Sequence, residues 1–187
     1  MAKRRLSRED WENAALDAIA AGGLAAVAVE PLAARLGVTK GSFYAHFAGR
    51  DALIEAALAA WERSHGAMGE RAAIDDPARR LEQALLTAVT FSQSGAPSVH
   101  VKLLGEMHDP RVREAVARVT AGRLAGLTAT YRQLGFPPKR AEQRARLAYA
   151  AYVGLLQLAQ ETPDRGLSKA EIDRLMSELR ATLLAPA

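Results

Sequence analysis

Apolar residues recur along this chain at spacings of three and four, the repeat of one helical face, and no credible strand pattern interrupts them. Trp11, Ala15, Ala18 and Ile19 form the first such stripe. Ser7 with Asp10 makes a capping-box-like start for it, and Gly22-Gly23 a stop. Leu32 and Leu36 mark a second, very short helix opened by Glu30-Pro31. Gly37 then supplies a sharp turn, and Thr39 caps a third helix running to about Phe47. Beyond Gly49, Leu53, Ile54, Ala57, Leu58 and Trp61 stripe a longer helix. Asp76-Pro77 opens a helix reaching about Phe91, and Asp109-Pro110, an N-cap followed by a first-turn proline, opens one that Gly135 ends. Val99 to Met107 forms a short helix between them, and Pro137-Pro138 opens another to about Glu161. Ser168 and Glu171 box the start of the last, which carries Ile172, Leu175, Met176, Leu179 and Leu183. The expectation is an all-α chain of about nine helices.

Composition strengthens this and narrows the function classes. The 187 residues include 40 Ala and 20 Arg against 5 Lys, and alanine favours helix over strand. With 49% apolar and 25% charged residues the chain reads as an ordinary globular protein, one domain or one with a small satellite. Cysteine is absent, which excludes disulfides, thiolate zinc sites and cysteine nucleophiles. The net charge of +4 does not locate a nucleic-acid surface, because residues 1–65 hold 8 basic and 8 acidic side chains. Acidic residues and Gly22-Gly23 break the signal-peptide pattern suggested by Lys3-Arg4-Arg5, and the uncharged run from Leu147 to Gln160 is too short to span a bilayer. A cytoplasmic protein with no membrane partner is expected.

The most informative stretch is Leu32 to Phe47, LAARLGVTKGSFYAHF. Two short helices joined by a Gly-containing turn match a helix-turn-helix, whose second helix enters the DNA major groove with its first residues at base edges. Those residues are Thr39, Lys40, Gly41 and Ser42. Phe43 and Phe47 would face the core, and Tyr44 and His46 would point outward, able to donate to phosphates. Spacing alone is served equally by an ordinary αα-hairpin with aromatic packing.

The stretch Val27 to Ile54, VAVEPLAARLGVTKGSFYAHFAGRDALI, resembles the N-terminal domain of the tetracycline-repressor (TetR) family of transcription regulators. The Leu-Ala-x-x-Leu-Gly-Val run, the hydroxyl-cation-Gly-hydroxyl opening, the Phe-Tyr-x-His-Phe block and the basic-acid-x-Leu restart carry the likeness, which is strong over residues 5–62. It implies a DNA-binding domain at 1–48 and a helical ligand-binding and dimerisation domain at 49–187. Lys40 and Ser42 would read bases, with Gly41 permitting close approach. Thr39, Tyr44, His46 and Arg50 would hold phosphates, and the arm Lys3, Arg4, Arg5 would add backbone or minor-groove contacts. Three terminal cations are equally a solvated tail, and Arg50 could instead pair with nearby acids. One departure stands out: the family usually has a hydroxyl residue near the start of the second helix, and this chain has Val29-Glu30-Pro31. Glu30 would repel a phosphate there.

The resemblance also implies a cavity among the middle helices for an unidentified small-molecule effector. Candidate liners are Trp61, Phe91, His100, Leu103, Leu104, Met107, Leu127, Tyr131, Tyr149 and Tyr152, each of which could equally be plain core. The last two helices are the candidates for a homodimer, through Ala151, Leu155, Leu175, Leu179 and Leu183, because residues 147–160 are apolar nearly all round. No catalytic constellation, metal-ligand spacing or phosphate loop is present, and no cofactor is expected. The expected function is sequence-specific transcription regulation, as a ligand-responsive repressor dimer on a palindromic DNA operator. The alternative is a helical small-molecule-binding protein or enzyme with a degenerate helix-turn-helix.

Overall fold

The computed structural model describes residues 6–65, 74–94, 96–162 and 167–184. Among them are nine α-helices and no strand: α1 Arg8–Gly22, α2 Val29–Arg35, α3 Lys40–Tyr44, α4 Arg50–His65, α5 Pro77–Gln93, α6 Val99–Leu104, α7 Pro110–Gln133, α8 Pro138–Glu161 and α9 Lys169–Leu183. A 3-10 turn, Leu24–Ala26, occupies the apolar link after α1. The caps act where the sequence put them. Ser7 and Asp10 form a capping box, as do Ser168 and Glu171. The Asp76 carboxylate accepts from Ala78 N–H at 2.9 Å, and that of Asp109 from Arg111 N–H, also at 2.9 Å. Thr39 departs from expectation: it sits at the N-cap of α3 but its hydroxyl makes no capping bond, and α3 stops at Tyr44 rather than near Phe47.

The chain packs as two compact units, Met1–Ser64 with Pro97–Arg118, and His65–Ala96 with Val119–Ala187. The first therefore extends past the segment 1–48, taking in α4, α6 and the start of α7. Its core holds Trp11, Ile19, Val27, Phe43, Leu53, Ile54, Ala57, Trp61, Leu103 and Val112, all fully buried. Phe43 meets Trp11 edge-on at 5.3 Å and stacks on Phe47 at 5.6 Å, so the i, i+4 aromatic pair anchors the third helix inward as its spacing requires.

The second unit buries Leu81, Leu85, Val89, Leu127, Tyr131, Phe136, Ala148, Met176 and Leu183 among α5, α7, α8 and α9. Alanines at 141, 145 and 148 give α8 a smooth buried stripe on which α5 packs. Leu183, which the α9 stripe offered to the dimer, is 3% exposed within this core. The periodicity that marked it was the signature of packing inside its own chain.

Candidate nucleic-acid interface

The turn between α2 and α3 is set by the backbone of Gly37, whose φ of 67° is open to glycine at no steric cost. Gly37 N–H donates to the Ala34 carbonyl at 3.1 Å and Val38 N–H to the Ala33 carbonyl at 3.0 Å. This paired closure ends α2 and turns the chain into α3. The first residues of α3 are thereby presented outward: Lys40 and Gly41 are exposed, Ser42 is half-buried, Tyr44 is 56% exposed and His46 half-buried. A Cβ added at Gly41 would meet only the Thr39 hydroxyl, at 3.7 Å. Nothing within the chain demands glycine there. Lys3, Arg4 and Arg5 lie outside the described residues.

The cations behind this surface hold the fold together. Arg8 donates to the His46 carbonyl at 3.1 Å and lies 4.4 Å from the Phe47 ring centre, tying α1 to the exit of α3. Arg35 reaches the Ala14 carbonyl. Arg50 donates through Nε to the Val27 carbonyl at 2.7 Å and through Nη2 to the Leu24 carbonyl at 2.6 Å. Glu106 accepts from Leu24 N–H at 3.2 Å, so the link between α1 and α2 is gripped from both sides. Arg50 thus has a fold-holding duty that its matching position did not reveal, because its carbonyl partners lie more than twenty residues away. Glu12, a buried residue of α1, is shared by Arg8 and Arg63 at 3.1 and 3.2 Å.

Lys40 is paired as well. Its Nζ lies 2.7 Å from the Glu30 carboxylate, the residue whose presence at the start of α2 departs from the family pattern. That hydrogen bond holds the Glu30 carboxyl below its ordinary pKa and the Lys40 ammonium above its own.

Residues 13–57, spanning this helix-turn-helix, match the sequence model described as bacterial regulatory proteins, tetR family. The chain carries a tetR-family N-terminal domain at these residues. It is a DNA-binding transcription regulator. Three solved structures share the fold of this chain. The reduced form of Escherichia coli NemR is 18% identical with a TM-score of 0.65, covering 92% of this chain and 95% of that one. Salmonella enterica GusR is 19% identical with a TM-score of 0.65, covering 97% and 100%. A Rhodococcus sp. structure assigned to the TetR-family transcriptional regulators is 22% identical with a TM-score of 0.60, covering 94% and 97%. No curated protein matches the chain. Nothing among these findings favours the alternative of a small-molecule-binding protein or enzyme.

The ten expected effector-lining residues fall into two groups. In the first unit Trp61, His100 and Leu103 are buried, with the Trp61 and His100 rings stacked at 5.8 Å, while Met107 is half-buried and Leu104 exposed. In the second unit Leu127 and Tyr131 are core, Phe91 is exposed, and half-buried Tyr149 stacks on Tyr152 at 6.2 Å. The Tyr149 hydroxyl lies 3.1 Å from that of Thr120. The Tyr131 hydroxyl is buried without a hydrogen-bond partner, and desolvation pushes its pKa up to about 12. An open groove of about 390 Å³ runs between residues 124–132 of α7 and Glu142 and Arg146 of α8, and none of the ten lines its surface except through neighbours in sequence.

For the dimer, Ala151, Leu155, Leu175 and Leu179 are half-buried against their own core. The outward stripe of α8 lies elsewhere: Leu147 and Leu158 are 56% and 57% exposed, on the same face as Gly154, where an added Cβ would meet nothing. The long uncharged run contained this signal, but its nearly all-round apolarity did not show which side was unpartnered. No described helix is long and apolar enough to cross a membrane, and no described cluster of His, Asp or Glu could hold a metal.

Proposed function

We propose that this regulator is a cytoplasmic, effector-responsive repressor that binds a palindromic operator as a homodimer. DNA reading is assigned to residues 1–48, and effector binding and dimerisation to residues 49–187. The outward presentation of Lys40, Gly41, Ser42 and Tyr44 on α3 carries the reading: a short helix tip bearing donors and a glycine with no internal purpose suits close approach to base edges. Thr39, Tyr44 and His46 then serve the backbone, joined by the Lys3-Arg4-Arg5 arm. The unpartnered stripe Leu147, Gly154, Leu158 supports two-fold pairing of α8 helices, since exposed leucines flanking a glycine allow close helix contact. The buried Tyr131 hydroxyl supports an effector with a polar group, which would supply the missing partner. An effector that binds better to a state with mis-spaced recognition helices lowers DNA affinity by population shift.

The test is selection of bound sequences from random DNA with the full chain, with molar mass by light scattering. Inverted half-sites separated by one helical turn, about 34–36 Å, or multiples of it, bound by a dimer, are expected. Unenriched DNA, or a single half-site bound by a monomer, contradicts the reading. Effector response is then read as release from the selected operator across a small-molecule panel.

A further inference from the structure

Resting on the assignment of α3 as the element that meets DNA, we propose that Glu30 is a specificity-determining residue. Its carboxylate neutralises Lys40, so that this side chain does not serve as a phosphate cation and is left for neutral base edges. The pair joins the first turn of α2 to the first residue of α3 at 2.7 Å. Both side chains face solvent, Glu30 at 74% and Lys40 at 51% exposure, so the contact is made by charge and not by burial.

Lys40 is the single cation of α3. Among the described residues of the segment 6–65, Arg8, Arg35, Arg50 and Arg63 are each engaged with backbone carbonyls or carboxylates. The tip of α3 therefore carries no uncompensated positive charge. Non-specific DNA binding depends on cations replacing condensed counterions at phosphates, and a Lys–Glu pair contributes nothing net to that count. Glu30 itself repels an approaching phosphate. A guanine edge differs because O6 and N7 are neutral acceptors. An ammonium has three donors, so Nζ can hold both guanine acceptors while its third hydrogen still faces Glu30. The pair taxes random DNA and spares the operator.

The experiment compares the full chain with E30Q, K40A and the double variant on two duplexes of equal length, the selected operator and a random sequence, across a salt series. E30Q is expected to tighten the random duplex about three- to tenfold and to steepen its salt slope by about one unit. Operator affinity should change less, so the operator-to-random ratio falls. In the K40A background E30Q should lose most of its effect, the coupling being read from the cycle. Unchanged random-duplex affinity and slope in E30Q overturn the proposal, as does an E30Q effect equal with and without Lys40. A loss confined to one operator base pair also overturns it, making Glu30 a direct base reader. A wild-type chain with no operator preference would instead defeat the proposed function, while the random-duplex arms still decide what Glu30 does.

Discussion

Replacing Arg50 by alanine separates two duties that its position allows. Its guanidinium makes two charge-assisted bonds, to the Val27 carbonyl at 2.7 Å and the Leu24 carbonyl at 2.6 Å. Such bonds are worth about 1.5–3 kcal/mol each where water is excluded. The Arg50 side chain is 43% exposed, so water recovers part of that, and about 1–2 kcal/mol remains for the pair together. The loss falls on the link from Gly23 to Val27, whose other side is held by Glu106. A local destabilisation of that size speeds hydrogen exchange at Ala26 and Val27 by about 5- to 30-fold, and lowers the denaturation midpoint. DNA affinity should fall for all sequences with an unchanged salt slope, because the variant loses positioning and not a phosphate contact. R50K, which keeps one charged donor group, should be intermediate. If instead exchange and midpoint are unchanged while the salt slope drops by about one unit, Arg50 spends its charge on a phosphate and the fold-holding account is wrong.

Gly41→Ala should stabilise the free protein by up to about 1 kcal/mol, since alanine favours helix and its Cβ meets only Thr39 at ordinary contact distance. The same change should weaken operator binding; equal or tighter binding would remove close approach as the reason for glycine. Leu147→Glu with Leu158→Glu places charges on exposed leucines and should leave the monomer folded by circular dichroism. It should release monomers in light scattering, by burying unpaired charge in the proposed interface at a cost of several kcal/mol; a persistent dimer puts the two-fold contact elsewhere. The Asp109 carboxylate is lowered from 3.8 to about 2 by its hydrogen bond with Arg111. A depressed folded-state pKa contributes stability that is fully present above about pH 4 and lost as pH falls towards 2. That contribution is about 1–2 kcal/mol after allowance for solvent. Melting of D109N should lack this part of the acid sensitivity, and identical pH profiles would refute the assignment.

The turn and caps of the helix-turn-helix were legible in sequence because what sets them is local. Gly37 needs its own φ, the Ser7–Asp10 box needs three residues, and Phe43 with Phe47 needs one helical turn. The inner stripes of α4 and α9 followed from spacing for the same reason. Spacing marks a face but does not say what covers it. Leu183 and Leu158 both belong to apolar stripes, yet the first is sealed in its own core and the second faces solvent. Only the packing of α5, α8 and α9 decides between them. Charge partners were hidden for a related reason. The carbonyls that take Arg50 lie 23 and 26 residues away, and Arg8 reaches across 38 residues to His46. Glu30 was visible as a departure from pattern, but its partnership with Lys40 exists because the Gly37 turn folds α2 back beside α3. Short-range sterics and periodic burial are written in the order of the residues. Which long side chain meets which distant carbonyl or carboxylate depends on the angles at which helices cross, and those are set by the whole core at once.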